Sequence, residues 1–277
     1  MLIYDSILIK STSECKTKLL FFFKIVIYFH IDFKLHVIEE KASLLFNFNR
    51  KVRFMKKKLS TATKIIFVYI AAQLLPLPLM FLFLENRQIE MRLNLTILFA
   101  FLGTIGMILL NRTKEWTPST ELTDKPSAPT KKIVLWGLIG FVGSIVLQIV
   151  TSLIEMAVFN VSSESVNTQT LLDTASDYPF LIFMIVLFGP IMEEFVFRKA
   201  IFAQLSSSSV GIVGSAVISS LLFAFIHFDG HMLVYGSLGL WFCYLYFKTN
   251  NIFTPIMAHA LMNAYASLPL YFPELFQ

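Results

Sequence analysis

The sequence predicts an all-α protein, a polytopic bundle of about seven transmembrane helices. Of its 277 residues, 56% are hydrophobic and 15% are charged, whereas soluble domains carry about a quarter charged residues. Several apolar runs also reach the ~20 residues that a helix needs to cross a bilayer. The net charge of +5 is explained by basic loops. The sequence therefore predicts the lipid bilayer as a partner and no nucleic acid.

The chain divides into three parts. Residues 1–54 are interpreted as an N-terminal extension, because their apolar run is broken by charged residues and makes a poor span. Met55 precedes three lysines and an apolar helix, as at the start of a bacterial membrane protein, so we interpret it as the initiator. The alternative is an extra interfacial or eighth spanning helix. Residues 55–132 contain N-terminal transmembrane helices and a cytoplasmic loop, and residues 133–277 contain the remaining helices.

The apolar runs predict seven spans, at residues 64–84, 93–110, 133–159, 178–205, 210–228, 232–247 and 252–270. Pro76 and Pro78 predict a kinked or broken first helix, because each removes a backbone donor. Segment 111–132 is polar and basic, which predicts a cytoplasmic loop. Segment 160–177 carries acidic but no basic residues, which predicts an outer loop. Together these features predict a multi-pass protein of a bacterial cell membrane.

Two adjacent carboxylates and an arginine stand out within the fourth span. A charge at the bilayer centre costs about 2.5–3.5 kcal/mol on insertion scales, so such groups usually face a bundle interior. Glu194 and Arg198 are four residues apart, which places them on one helical face as an ion pair. Glu193 is rotated by about 100° from Glu194. The spacing thus predicts one neutralised carboxylate and one available carboxylate.

Further polar residues lie in later apolar helices. His259 and Asn263 share a helix face, since they stand four residues apart. His227 follows the run Phe223 to Ile226 and is predicted to be an active partner. His231 is also four residues further on, but Gly230 and Asp229 should end the helix before it. We therefore interpret His231 as lying outside the site.

These side chains allow two kinds of chemistry. Glu193, His227 and His259 could form a three-ligand zinc site with an open position for water. Alternatively, the carboxylate is a general base that acts on a water molecule held by His and Asn, with no metal. Either arrangement suits hydrolysis of a peptide bond.

The ordered motifs resemble those of a known family. Glu193-Glu194-x-x-x-Arg198, Phe223-x-x-x-His227 and His259-x-x-x-Asn263 are similar to the three motifs of the CPBP intramembrane proteases. This family includes the CAAX prenyl endopeptidases and Abi-type proteins linked to bacteriocin processing or self-immunity. The resemblance covers about residues 178–270, so residues 133–277 are interpreted as the catalytic core.

The resemblance implies a role for each motif residue. Glu193 would activate water, and Glu194 with Arg198 would form a supporting pair. His227 and His259 would bind a metal or polarise the scissile carbonyl, and Asn263 would help to form an oxyanion site.

The predicted function is an intramembrane endopeptidase that cleaves a membrane-associated peptide or protein, in bacteriocin self-immunity or processing. The alternatives are a non-proteolytic membrane immunity or binding protein and a proton-coupled transporter, but no repeated halves support transport. One difficulty accompanies the site. Simple alternation of the spans separates Glu193 and His227 by on the order of 10 Å or more in depth, unless the helices are tilted or span 178–205 is a longer element.

Overall fold

The structure is a computed structural model that describes residues 59–113, 122, 125–161, 165–227, 229–272 and 274. Residues 58–277 form one compact unit. The predicted extension 1–54, Met55 and much of the basic loop lie outside the described residues. The part of the chain that is described is helical and has no strand, which confirms the predicted all-α class.

Eight helices make up the described bundle. Five are α1 (Thr61–Leu74), α2 (Gln88–Asn111), α3 (Thr130–Phe159), α4 (Val166–Asp177) and α5 (residues 181–205). The other three are α6 (Gly211–His227), α7 (Met232–Thr249) and α8 (Phe253–Ala266). Single turns at Pro76–Leu79, Met80–Leu82, Glu85–Arg87 and Leu268–Tyr271 complete the described helical structure.

Within the described residues, three helical segments are long and apolar enough to cross a membrane: Thr61–Leu82, Gln88–Asn111 and Thr130–Phe159. Helix α6 is apolar but shorter. On α3, half-exposed Val142, Val146, Ile149 and Leu153 recur every three or four residues, which is the pattern of a lipid-facing stripe. The chain is therefore a helical membrane protein, and its number of spans stays a prediction.

The first apolar helix is broken where the prolines predict it. Helix α1 ends at Leu74 and is followed by the turn Pro76–Leu79 and the 3₁₀ turn Met80–Leu82. Neither Pro76 nor Pro78 has an N–H to continue the α-helical hydrogen bonds. The predicted break is confirmed.

The prediction of a plain loop over residues 160–177 is wrong, because Val166–Asp177 forms helix α4. Its composition is polar, which suggested a loop, yet Ser165 supplies an N-cap. The Ser165 hydroxyl accepts a hydrogen bond from the Thr168 N–H at 3.1 Å. Such a cap satisfies one of the donors that a helix leaves open at its start.

Small residues allow α3 to pack closely against α7 and α8. A Cβ added at Gly140 would lie 2.5 Å from Leu245 Cδ1 and 2.8 Å from Ala258 Cβ. One turn later, a Cβ at Gly143 would lie 2.5 Å from the Trp241 ring. The Trp241 indole also donates a hydrogen bond to the Gly140 carbonyl at 2.9 Å. This face of α3 therefore lies against α7 and α8, which positions the polar residues further along it.

The register of α5 against α6 removes the predicted mismatch in depth. The Ser219 hydroxyl donates to the Phe197 carbonyl at 2.6 Å, and the Phe197 and Phe223 rings are 5.3 Å apart. Because the two helices run antiparallel, Glu193 lies one turn beyond Phe197 and His227 one turn beyond Phe223, on the same side. These contacts between α5 and α6 place Glu193 and His227 at similar depth.

Candidate active site

One cavity of about 420 Å³ gathers the predicted residues. Glu193 from α5, His227 from α6, and His259 and Asn263 from α8 all line it. Residues of α3, α4 and α7 complete its walls. The structure therefore brings together, inside the bundle, the four side chains that the sequence predicts as reactive.

The segment that carries the two carboxylates lies between two π-helical stretches. Met184–Phe188 and Phe195–Phe202 are π-helical, and Gly189–Glu194 between them is α-helical. A π turn brings the Met184 carbonyl within 2.8 Å of where a Cβ of residue 189 would lie, so glycine is needed there. Such distortions of a helix are frequent at functional sites.

Glu194 bridges two buried partners. Its Oε2 lies 3.1 Å from Arg198 Nε, and its Oε1 accepts a hydrogen bond from His259 Nδ1 at 2.9 Å. The arginine contact is a charge contact rather than a directed hydrogen bond, since neither atom meets hydrogen-bond geometry with any described residue. The predicted pair is present, and its link to His259 is an addition that the sequence did not predict.

Arg198 is fully buried with Glu194. Its guanidinium carbon lies 4.5 Å from the centre of the Phe223 ring and 5.1 Å from that of Phe242. A cation held over aromatic faces gains electrostatic attraction that is larger in a desolvated site. These rings partly replace water around the arginine.

Glu193 is the carboxylate that faces the cavity. Its side chain is 19% exposed, whereas that of Glu194 is fully buried. Glu193 Oε2 lies 3.9 Å from His259 Nε2, which is too long for a direct hydrogen bond. A water molecule in the cavity can contact both atoms.

His227 is fixed by its own helix and by Tyr235. Its Nδ1 lies 2.8 Å from the Phe223 carbonyl oxygen; because a carbonyl only accepts, Nδ1 carries the hydrogen and Nε2 is left open. The Tyr235 ring stacks on the imidazole with centroids 3.8 Å apart. Tyr235 also donates to Asp229 at 3.0 Å, and Ser165 donates to the same oxygen at 2.5 Å. The start of α4 is thereby tied to the site.

Asn263 lines the cavity and makes a structural hydrogen bond as well. Its Nδ2 donates to the Ile185 carbonyl at 2.9 Å. This carbonyl belongs to the π-helical stretch Met184–Phe188. An amide nitrogen has two hydrogens, so one remains for a ligand in the cavity.

The interpretation of His231 as outside the site is wrong. Helix α6 does end at His227, as predicted, but His231 is 4% exposed and lines the same cavity. Its Nδ1 is 2.7 Å from Glu155 Oε2. Glu155 Oε1 in turn accepts the N–H groups of Leu233 and Val234 at 2.6 and 3.3 Å. A carboxylate from α3 thus caps α7 and orients His231.

Glu155 is the residue that sequence reasoning missed. It lies within span 133–159 and is 2% exposed. A carboxylate inside a lipid-length helix is itself a signal, because such groups face a bundle interior. The sequence did not indicate the partner of Glu155, because His231 is 76 residues away along the chain.

We expect Glu155→Leu to destabilise the protein. The change removes the acceptor of His231 and of two backbone N–H groups, and each buried donor left unsatisfied costs about 1–3 kcal/mol. The measurement is the thermal unfolding midpoint of purified protein in detergent. Glu155→Gln, which keeps an acceptor oxygen for the N–H groups, should lose less. An unchanged midpoint for Glu155→Leu would contradict the capping role.

The predicted zinc ligands share the cavity but are not closely grouped in this structure. Among residues 59–113, 122, 125–161, 165–227, 229–272 and 274, no three His, Cys, Asp or Glu side chains are grouped to hold a metal ion. Glu193, His227 and His259 line one cavity without forming such a group. Zinc binding by these three residues stays a prediction.

Comparison with known proteins assigns the family. Residues 175–265 match the model of the type II CAAX prenyl endopeptidase Rce1-like family. The "Membrane-embedded CAAX protease MroQ" of Staphylococcus aureus (strain USA300) is 31% identical over 210 residues, which cover 72% of this chain and 85% of that protein. The chain belongs to the CPBP family of CAAX proteases. The resemblance predicted from the three motifs is confirmed.

A further relative is the "Putative membrane peptidase YdiL" of Bacillus subtilis (strain 168). It is 38% identical over 133 residues, which cover 48% of this chain. The matched region spans 54% of that relative's length. No solved structure matches the chain. Membership of the CPBP family supports a peptidase that acts in a membrane.

Proposed function

We propose that this CPBP protein is an intramembrane endopeptidase of the cell membrane that hydrolyses a peptide bond by general-base catalysis. The observation that carries the proposal is that Glu193, His227, His259 and Asn263 line the same cavity. They come from three helices and place a carboxylate, two imidazoles and an amide around one space. A membrane-associated peptide or protein is the substrate class.

Glu193 is assigned as the general base. Its carboxylate takes a proton from a water molecule, and the resulting hydroxide attacks the carbonyl carbon of the scissile bond. His227, whose Nδ1 donates to the Phe223 carbonyl, accepts a hydrogen bond at Nε2 from the hydrogen that stays on the attacking oxygen. When the C–N bond breaks, the proton held by Glu193 passes to the leaving nitrogen, so that water is consumed and an acid and an amine form.

His259 and Asn263 are assigned to the carbonyl oxygen. The Glu194 carboxylate holds His259 at Nδ1 and directs Nε2 towards the cavity, so that the imidazole can polarise the carbonyl. Asn263 donates with its second amide hydrogen. Donors already in place for a developing oxyanion need no reorganisation during the reaction, which is a large source of rate acceleration.

The test is a cleavage assay on purified protein in lipid nanodiscs. The probe is a pool of quenched fluorogenic decapeptides, and mass spectrometry of the products gives the cleavage sites. We expect the wild-type protein to cut a subset of the pool and the Glu193→Gln variant to cut none. Equal cleavage by both proteins would refute the assignment of Glu193.

We expect the activity to survive removal of metal ions. The proposed mechanism uses only protein groups, so dialysis against a chelator should leave kcat/KM unchanged. The chelated protein is compared with protein to which zinc has been restored, and the bound metal is quantified in each. Loss of activity on chelation with recovery on zinc addition would favour the alternative, in which Glu193, His227 and His259 bind zinc.

The biological role is a narrower part of the proposal. The family resemblance supports cleavage linked to bacteriocin processing or self-immunity. The alternative function is that of a non-proteolytic immunity or binding protein. That function would not require the Glu193 carboxylate. The protection of cells against a bacteriocin, measured with wild-type protein and Glu193→Gln, therefore separates the two.

A further inference from the structure

The cavity has a second polar side that the proposed catalysis does not use. Gln148 and Ser152 line it from α3. Together with Glu155 they stand at spacings of four and three residues, so the three share one helix face. Glu155 holds His231 on the same side. We call Gln148, Ser152 and His231 the polar wall.

The polar groups of this wall are open to a ligand. The structure gives the Gln148 side-chain amide and the Ser152 hydroxyl no hydrogen bond to other described residues. His231 uses Nδ1 for Glu155, which leaves Nε2 open on the cavity. Polar side chains on a lipid-length helix are costly unless they find partners. A ligand that supplies those partners accounts for their position.

We propose that the polar wall binds the main chain of an extended substrate peptide beside the scissile bond. The proposal rests on the proposed endopeptidase function and deepens it. A peptide that is extended inside a bundle exposes N–H and C=O groups, and each costs several kcal/mol if left unpaired away from water. Gln148 offers both a donor and an acceptor, as the edge of a β-sheet does. The Ser152 hydroxyl and His231 Nε2 can pair with further main-chain groups of the same peptide.

The chemistry also defines the class of substrate. The wall pairs with groups that every peptide carries, so it contributes binding without selecting a side chain. It makes recognition depend on an unwound segment of polypeptide rather than on a lipid chain attached to it. Residues of a substrate helix must therefore unwind before they reach the wall.

The test is a double-mutant cycle between protein and substrate. The probe is the decapeptide that the wild-type protein cuts best in the pooled assay, together with analogues in which each backbone nitrogen except the scissile one is methylated in turn. Gln148→Leu is compared with Ile149→Leu, a substitution at a neighbouring residue that is half exposed and outside the cavity lining. Both kcat and KM are measured.

We expect Gln148→Leu to raise KM about 5–20-fold, as for loss of one or two hydrogen bonds, with kcat little changed. Methylation of one backbone nitrogen should raise the KM of the wild-type protein by a similar factor. The same methylation should cause no further increase in KM for Gln148→Leu. Ile149→Leu should behave as wild type. If Gln148→Leu does not fold, Ser152→Ala provides the same cycle with a smaller change.

Two results of the double-mutant cycle would overturn the proposal, and so would an unchanged KM in Gln148→Leu. One is that the effect of Gln148→Leu and the effect of methylation are independent at every methylated nitrogen. The other is coupling of Gln148 to a substrate side chain, revealed by alanine-substituted decapeptides, in place of the main chain. If the wild-type protein cuts no peptide at all, the endopeptidase function itself fails, and with it this inference. Cleavage that is unaffected by Gln148→Leu would overturn only the inference.

Discussion

Glu193→Gln should abolish peptide hydrolysis while the protein remains folded at normal abundance. The substitution preserves the size of the side chain but removes the base, and general-base catalysis contributes about 10²–10⁴-fold to rate. Stability should be spared because Glu193 faces the cavity and is not part of the buried Glu194–Arg198 pair. The measurement is kcat/KM on a cleaved decapeptide, with protein level and unfolding midpoint recorded alongside.

The matched control is Glu85→Gln, which makes the same chemical change at an exposed residue outside the cavity lining. It should retain full activity. A Glu193→Gln protein that is both abundant and fully active would exclude Glu193 as the base and would support the binding reading of the family resemblance. An inactive and poorly folded variant would mean instead that Glu193 contributes to packing.

The residues that the sequence predicted correctly are those whose relation is local. Glu194 and Arg198 pair because four residues make about one turn, and this holds although the surrounding helix is π-distorted. The high cost of charge in a lipid-length helix pointed to the same residues. The four-residue spacing and the cost of charge in a membrane were therefore sufficient to predict the Glu194–Arg198 pair.

The contacts between distant helices could not be predicted in the same way. Glu194 and His259 are 65 residues apart, and Glu155 and His231 are 76 apart. Such pairing depends on the rotation and relative depth of each helix, which are set by packing against neighbours. The predicted depths assumed simple alternation of the spans, whereas contacts of Phe197 with Ser219 and Phe223 set the actual register of α5 against α6. His231 was excluded for a similar reason. The predicted end of α6 did not show that the chain beyond it returns to line the cavity.

Arg198→Ala should lower protein abundance and the unfolding midpoint as well as activity. It leaves the Glu194 carboxylate in a fully buried position without its cationic partner, and breaking one side of a buried ion pair costs about 3–5 kcal/mol. The change also removes the cation from between the Phe223 and Phe242 rings. Activity should fall because Glu194 positions His259.

Rescue distinguishes this electrostatic cost from a simple loss of volume. In the Arg198→Ala/Glu194→Gln double variant the buried residue is neutral, so part of the lost stability and abundance should return, while a cavity at residue 198 remains. Arg92→Ala, at an exposed arginine on α2, controls for the loss of a positive charge and should change neither quantity. If the double variant is no more stable than Arg198→Ala, Arg198 contributes through packing, because neutralising Glu194 then relieves nothing.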